Sequence, residues 1–189
     1  MEASRLCTVR KITVVLQLIL GYNYTMTTIT LYLDMDGVLA DFNKEYIKYD
    51  PNKEDRKKFR SAVLDHHIFE KLDFMPDTKE LLNHVSRLHG IKIEILTSMG
   101  THDPFQGNSA KYQKLDWLKK HNIPYPANFV RNKKEKAQYA TPTSILIDDS
   151  PGCIGPFIEA GGHGILHHKA SETIRILDST ILQIKAINA

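Results

Sequence analysis

The sequence predicts an α/β fold built on a parallel sheet. Two observations carry this: short β-branched and apolar runs recur along the chain, and helical patterns lie between them. A third sharpens it, because three of the apolar runs break off into polar residues, at Asp34, Thr97 and Asp148. In open parallel sheets ligands bind at the carboxyl ends of the strands.

Residues 28–33, Thr-Ile-Thr-Leu-Tyr-Leu, read as a buried strand that runs into a turn at Asp34-Met35-Asp36-Gly37. Residues 42–49 and 53–64 carry two short helical patterns, the second with Phe59 and Val63 one turn apart. A right-handed crossover needs only one helix. Residues 42–75 are therefore expected to form a small helical cap over the strand ends, inserted into a core of residues 26–41 and 76–189. Asp77 and Glu80 have the capping-box spacing, Leu81, Val85 and Leu88 share a face, and Gly90 supplies a left-handed stop. Residues 91–96 form a second strand ending at Thr97-Ser98. Residues 109–121 place Tyr112, Leu115 and Leu118 at helical spacing and stop at Asn122. Residues 127–131 add a short strand, and residues 144–147 form one that ends at Asp148-Asp149. Residues 164–166 read as another strand. Residues 171–184 are a helix with Ile174, Leu177, Ile181 and Ile184 on one face.

Of the 189 residues, 42% are hydrophobic and 25% charged, which excludes disordered and fibrous classes. The apolar run at residues 12–20 is shorter than a membrane span and contains Gln17, so no membrane partner is expected. A net charge of +3 is too small to argue for a nucleic-acid surface. The charge run at residues 53–60 is interrupted by Glu54 and Asp55 and reads as a solvated helix face. Cys7 and Cys153 make no disulfide framework and no Cys/His spacing suits zinc, so a reducing, cytoplasmic setting is expected. His66-His67 and His167-His168 lack a third ligand and read as surface or rim. Arg5, Arg10 and Lys11 precede the apolar run as in an export signal, but no small-x-small cleavage site follows Leu20. Residues 1–25 are read as an extension outside the core, with export as the alternative. A homodimer is left open.

The strand ends carry the chemistry. Side chains two apart on extended backbone point the same way, so Asp34 and Asp36 aim at one ligand, and Gly37 lets the chain turn sharply after them. Asp148 and Asp149 reach the same edge of the sheet. Four converging carboxylates repel one another unless a cation sits among them, and hard oxygen donors from few residues favour Mg²⁺ with phosphate alongside. Thr97 and Ser98 offer donors to phosphate oxygens, and a lysine from residues 133–136 would complete the charge balance. Phe42, Tyr46, Phe69 and Phe74 are candidates either to stack on a base or to form the cap's own core. Trp117 reads as packing.

Taken in order, Asp34-Met35-Asp36-Gly37-Val38, Thr97-Ser98, a lysine, and Ile145-Leu146-Ile147-Asp148-Asp149 resemble the four motifs of the haloacid dehalogenase-like (HAD) phosphohydrolases. The longer strings Asp36-Gly37-Val38-Leu39-Ala40-Asp41-Phe42, Ile95-Leu96-Thr97-Ser98, Lys114-x-x-Trp117 and Leu146-Ile147-Asp148-Asp149 are similar to the small 5'(3')-deoxyribonucleotidases of that superfamily. The resemblance spans about residues 28–168. It implies a Rossmann-like sheet with a helical cap after the first strand, and an Mg²⁺-dependent phosphomonoesterase acting on deoxynucleoside monophosphates through an aspartyl-phosphate. Asp34 would be the nucleophile and Asp36 the general acid and base. The metal would be held by Asp34, the Asp36 backbone carbonyl and Asp149, with Asp148 orienting water or the lysine from behind. Thr97, Ser98 and Lys136 would bind phosphate, Lys133 being the alternative lysine. Other readings are a phosphatase for another small phosphoester or a polynucleotide 3'-phosphate, and an inactive HAD-like binding module.

Overall fold

The structure, a computed structural model, describes residues 28–49, 51–52 and 54–188. The expected extension at residues 1–25 and the first residue of the 53–64 helical pattern lie outside the described residues.

Five strands form one parallel sheet: β1 (Ile29–Leu33), β2 (Ile91–Ser98), β3 (Ala127–Val130), β4 (Ser144–Asp148) and β5 (His163–Leu166). Their order is β3-β2-β1-β4-β5. The chain winds outward from β1 to β3, then returns to the other side of β1 for β4. At such a reversal the connections part and leave a crevice at the carboxyl ends of the strands, here between β1 and β4. The α/β class read from the sequence is the observed one. Every residue of β4 is buried, as expected for a central strand covered on both faces. Leu33 pairs with Ile147, and the Asp34 N–H continues the ladder to the Ile147 carbonyl at 2.9 Å. That register sets Asp34 beside Asp148.

The helices are α1 (Phe42–Tyr46), α2 (Asp55–Leu64), α3 (Thr78–Val85), α4 (Pro104–Lys120), α5 (Pro151–Glu159) and α6 (Ala170–Ile187), with 3-10 segments at Ile68–Lys71 and Lys133–Tyr139. Three differ from the sequence reading. α3 ends at Val85, before Leu88, and Asp77 caps no N–H of its first turn; its carboxylate instead accepts the Ala170 N–H at the start of α6. α4 begins earlier than its apolar pattern, because Asp103 caps the Gln106 N–H at 2.8 Å and Pro104 fits the first turn. Its buried face is also different. Tyr112 is 66% and Leu115 36% exposed, while Gln106, Ala110, Gln113, Lys114, Trp117 and Leu118 point inward. α5 has no helical signature to read, carrying Gly152, Gly155 and an internal Pro156.

The segment between β1 and α3 supplies α1, α2 and the Ile68–Lys71 turn, and α4 is its dock. Gln113 Nε2 donates to the Val63 carbonyl at 2.8 Å and Gln113 Oε1 accepts from the Phe69 N–H at 3.3 Å. Trp117 Nε1 donates to the Leu72 carbonyl at 2.8 Å. Buried polar groups that find partners of this kind fix the relative seat of two elements more specifically than apolar contact does. Among the described residues no helix is long and apolar enough to cross a membrane.

Candidate active site

Asp34 follows β1 directly, at the crevice. Its Oδ1 accepts from the Met35 N–H at 2.7 Å and lies 2.8 Å from Lys136 Nζ. Lys136, 1% exposed in the Lys133–Tyr139 turn, also meets Asp148 Oδ2 at 2.6 Å. The other Asp148 oxygen accepts the Ser150 N–H at 2.9 Å, so both are committed within the protein. Asp149 accepts no hydrogen bond among the described residues. Ligand atoms of Asp34, Asp148 and Asp149 lie within 4.8 Å of one another. Gly37 adopts φ +80°, and a Cβ there would overlap the Asp149 carboxylate. Only glycine satisfies both conditions.

Asp36 keeps 27% of its side-chain surface exposed. Its Oδ2 accepts from Lys114 Nζ at 2.6 Å, whereas its Oδ1 is buried without a partner among the described residues. Lys114, on α4, is fully buried and also donates to Thr97 Oγ1 at 2.8 Å.

Burial dominates the electrostatics. It pushes the Asp148 carboxyl up to about 6, helped by Asp34 and opposed by Lys136. It raises Asp149, again with Asp34, against Lys133. It raises Asp36 too, with Asp34 adding and Lys114 and Lys136 opposing. For Lys136 burial works against the charge, but Asp34 and Asp148 outweigh it and hold the ammonium above the usual lysine range. Surplus negative charge thus collects where one lysine serves two acids, which is the condition that a divalent cation relieves. The donor set fits Mg²⁺: it is all oxygen, it comes from few residues, and Asp149 accepts no hydrogen bond among the described residues.

Asp34, Asp36, Asp149 and Lys136 form the floor of a cavity of about 450 Å³, with Asp148 and Lys114 buried outside its lining and Ser98 among its other residues. Phe42, Phe59 and Phe69 make an apolar wall, faced by His102, Arg131 and Lys133. Of the residues singled out in the sequence, Asp34, Asp36, Asp149, Lys136, Ser98, Phe42 and Phe69 line this space. Lys133 lines it too but reaches Ser150 Oγ at 3.2 Å rather than the acids. Thr97 is buried behind the floor with its hydroxyl on Lys114. Tyr46 stacks on Phe42 and Phe74 packs on Trp117 and His121, and neither is part of the wall. His167, read as surface, is 3% exposed and bonded to Thr173.

Sequence reasoning missed two residues of this site. Phe59 looked like part of a helix's own apolar face. Lys114 was noticed only as part of a motif string, yet it shares a stripe with Ala110, Trp117 and Leu118. A lone lysine on an apolar stripe is the signal that would have found it, because such a charge is buried only where partners wait for it.

No protein-family model matches the chain, and no curated protein matches its sequence. The fold does match solved structures. One is a hydrolase from Streptococcus pneumoniae TIGR4, 16% identical with a TM-score of 0.52, the match covering 81% of this chain and 100% of that one. Another is a haloacid dehalogenase-like family hydrolase from Xanthomonas campestris, 12% identical with a TM-score of 0.55, covering 84% and 94% respectively. At such identities the likeness is one of fold, and it is the fold that the motif resemblance implies.

Proposed function

We propose that the chain is an Mg²⁺-dependent phosphomonoesterase of the HAD type, and within that class a 5'(3')-deoxyribonucleotidase. The observation that carries the reading is the meeting of Asp34, Asp148 and Asp149 within 4.8 Å, with Asp34 and Asp149 lining a cavity large enough for a mononucleotide. The other acid, Asp36, stands two residues from Asp34 with one oxygen uncommitted. The two fold relatives named above are both hydrolases, which agrees with this reading.

The roles follow from the partners of each group. Asp34 Oδ1 is held by two donors, and Oδ2, which accepts no hydrogen bond among the described residues, is the oxygen that attacks phosphorus. As that bond forms, the ester P–O bond breaks and its electron pair stays on the alcohol oxygen, which takes a proton from Asp36. A water then attacks the aspartyl-phosphate, Asp36 accepts its proton, and inorganic phosphate leaves with Asp34 restored. Burial, which raises Asp36, favours the protonated form that the first half-reaction needs. Ser98 and Lys136 bind phosphate oxygens, whereas the Thr97 hydroxyl, expected from the sequence to do so, is buried on Lys114 instead. Magnesium held by Asp34, Asp149 and the Asp36 carbonyl would neutralise phosphate charge and polarise the phosphoryl group. Asp148 keeps Lys136 in place.

The aromatic wall favours a substrate with a flat apolar part, hence a nucleoside over a sugar phosphate. A second reading has one observation behind it. A cavity of about 500 Å³ adjoins the first, sharing Phe59 and His102, and is lined by Arg56, Lys57 and Arg60. That would suit the next phosphates of a strand bearing a 3'-phosphate, although Lys57 and Arg60 are paired with Glu54 and Asp103. Phosphate release from a panel of deoxynucleotides, sugar phosphates and a 3'-phosphorylated oligonucleotide, with Mg²⁺ and with chelator, decides between them. Release from deoxynucleoside monophosphates only with Mg²⁺ is expected. No Mg²⁺-dependent release from any member would remove the reading.

A further inference from the structure

The Lys114 ammonium has a fixed set of three partners: Asp36 Oδ2 at 2.6 Å, Thr97 Oγ1 at 2.8 Å and the Phe69 ring, whose centroid is 4.4 Å away. It touches no other acid among the described residues. The balance of Asp34 and Asp148 is already served by Lys136. A fully buried lysine is costly, and its cost is met here by a carboxylate, a hydroxyl and an aromatic face together. Three elements converge on this ammonium. Asp36 comes from the turn after β1, Thr97 from β2, and Phe69 from the helical insert, where the same ring forms part of the cavity wall.

We propose that Lys114 is the positioning residue for Asp36, anchoring its carboxylate in the one orientation from which it exchanges a proton with the substrate. The inference rests on the phosphatase reading and adds to it a residue from outside the strand ends. The terminal torsion of an aspartate side chain is soft and roughly two-fold. Without an anchor, the Asp36 carboxylate would sample a broad range of angles. With Oδ2 tied to a buried ammonium, that range narrows to one orientation. Gln113, next to Lys114, bonds the backbone of Phe69 and Val63, so one turn of α4 holds both the insert and the acid. The wall that receives the substrate and the group that protonates its leaving oxygen are thereby set in one frame.

The test uses two esters that differ in their need for that proton. The deoxyribose oxygen leaving thymidine 5'-monophosphate must be protonated as the P–O bond breaks. The oxygen leaving p-nitrophenyl phosphate departs as a stable phenolate. The ratio kcat/KM reads only steps up to the first irreversible one, the departure of the alcohol, so later water attack does not blur the comparison. Lys114→Met is expected to lower kcat/KM with Mg²⁺ about 100-fold for the nucleotide, the scale of a mispositioned group, and less than about tenfold for p-nitrophenyl phosphate. In an Asp36→Asn background the same substitution should add little, since it acts through Asp36. If Lys114→Met does not fold, Thr97→Val removes a single anchor of the ammonium without changing side-chain shape and should bias the two esters in the same direction. Equal losses on both esters in a folded variant would overturn the positioning role while leaving the phosphatase reading intact. A wild-type protein that hydrolyses neither ester overturns both.

Discussion

The floor and the wall of one cavity rest on different physics. The floor hangs from strand ends, and parallel register between β1 and β4 sets Asp34 and Asp148 side by side. Its difficulty is like charge, met by Lys136 between two acids and by Lys114 on a third. The wall comes from the helical insert and carries no charge. Phe42 stacks on Phe69 at 5.7 Å and meets Phe59 edge-on at 6.3 Å, while hydrogen bonds from Gln113 and Trp117 hold the insert to α4. Under the proposed function the contrast is a division of labour: the floor would decide which bond is broken, and the wall which ester is admitted.

That division can be broken or sharpened by substitution. The largest effect is expected at Asp34→Asn, which removes the attacking oxygen's charge and should lower kcat by at least about 10³-fold. Circular dichroism should show the fold retained, because the change also relieves repulsion among the acids. Turnover within tenfold of wild type would take the nucleophile role away from Asp34. Next comes Lys136→Met, which leaves Asp34 and Asp148 facing each other unpaired. Urea unfolding at neutral pH should report a loss of about 3–5 kcal/mol, the scale for breaking a buried ion pair from one side, with part of it restored by Mg²⁺. A loss under about 1 kcal/mol would mean that the acids do not depend on this lysine. The smallest effect belongs to the wall. Phe42→Ala should raise KM for a deoxynucleotide roughly tenfold, about 1.4 kcal/mol, with kcat little changed. If kcat fell instead and KM held, floor and wall would not be separable.

How far each region was legible follows from the same contrast. β-Branched and apolar residues mark the strands, so β1, β2 and β4 stand out in the sequence and their boundaries are close to those observed. The acids at their ends are legible with them, because a strand's last residue is at one edge of the sheet wherever the strand sits. Helix faces were harder. α4 was read through Tyr112 and Leu115, apolar side chains that in fact face outward, because Gln113 and Lys114 look like surface residues until the insert and Asp36 are in place to receive them. The choice between Lys133 and Lys136 was open for a related reason. Both lie on one short 3-10 turn, and only its packing against the sheet shows that Lys136 meets Asp34 and Asp148 while Lys133 turns to Ser150.

By itself the sequence determined the α/β class, the helical insert after the first strand, and the gathering of acids at one edge of the sheet. Those follow from periodicity and from where an apolar run stops, which are local properties of the chain. The tertiary structure alone decided which lysine serves which acid, which aromatic rings face the cavity, and that a lysine on α4 reaches Asp36. Each depends on how an element is rotated against its neighbours, and that rotation is set by the sum of distant packing and hydrogen-bond terms that no short window of residues contains.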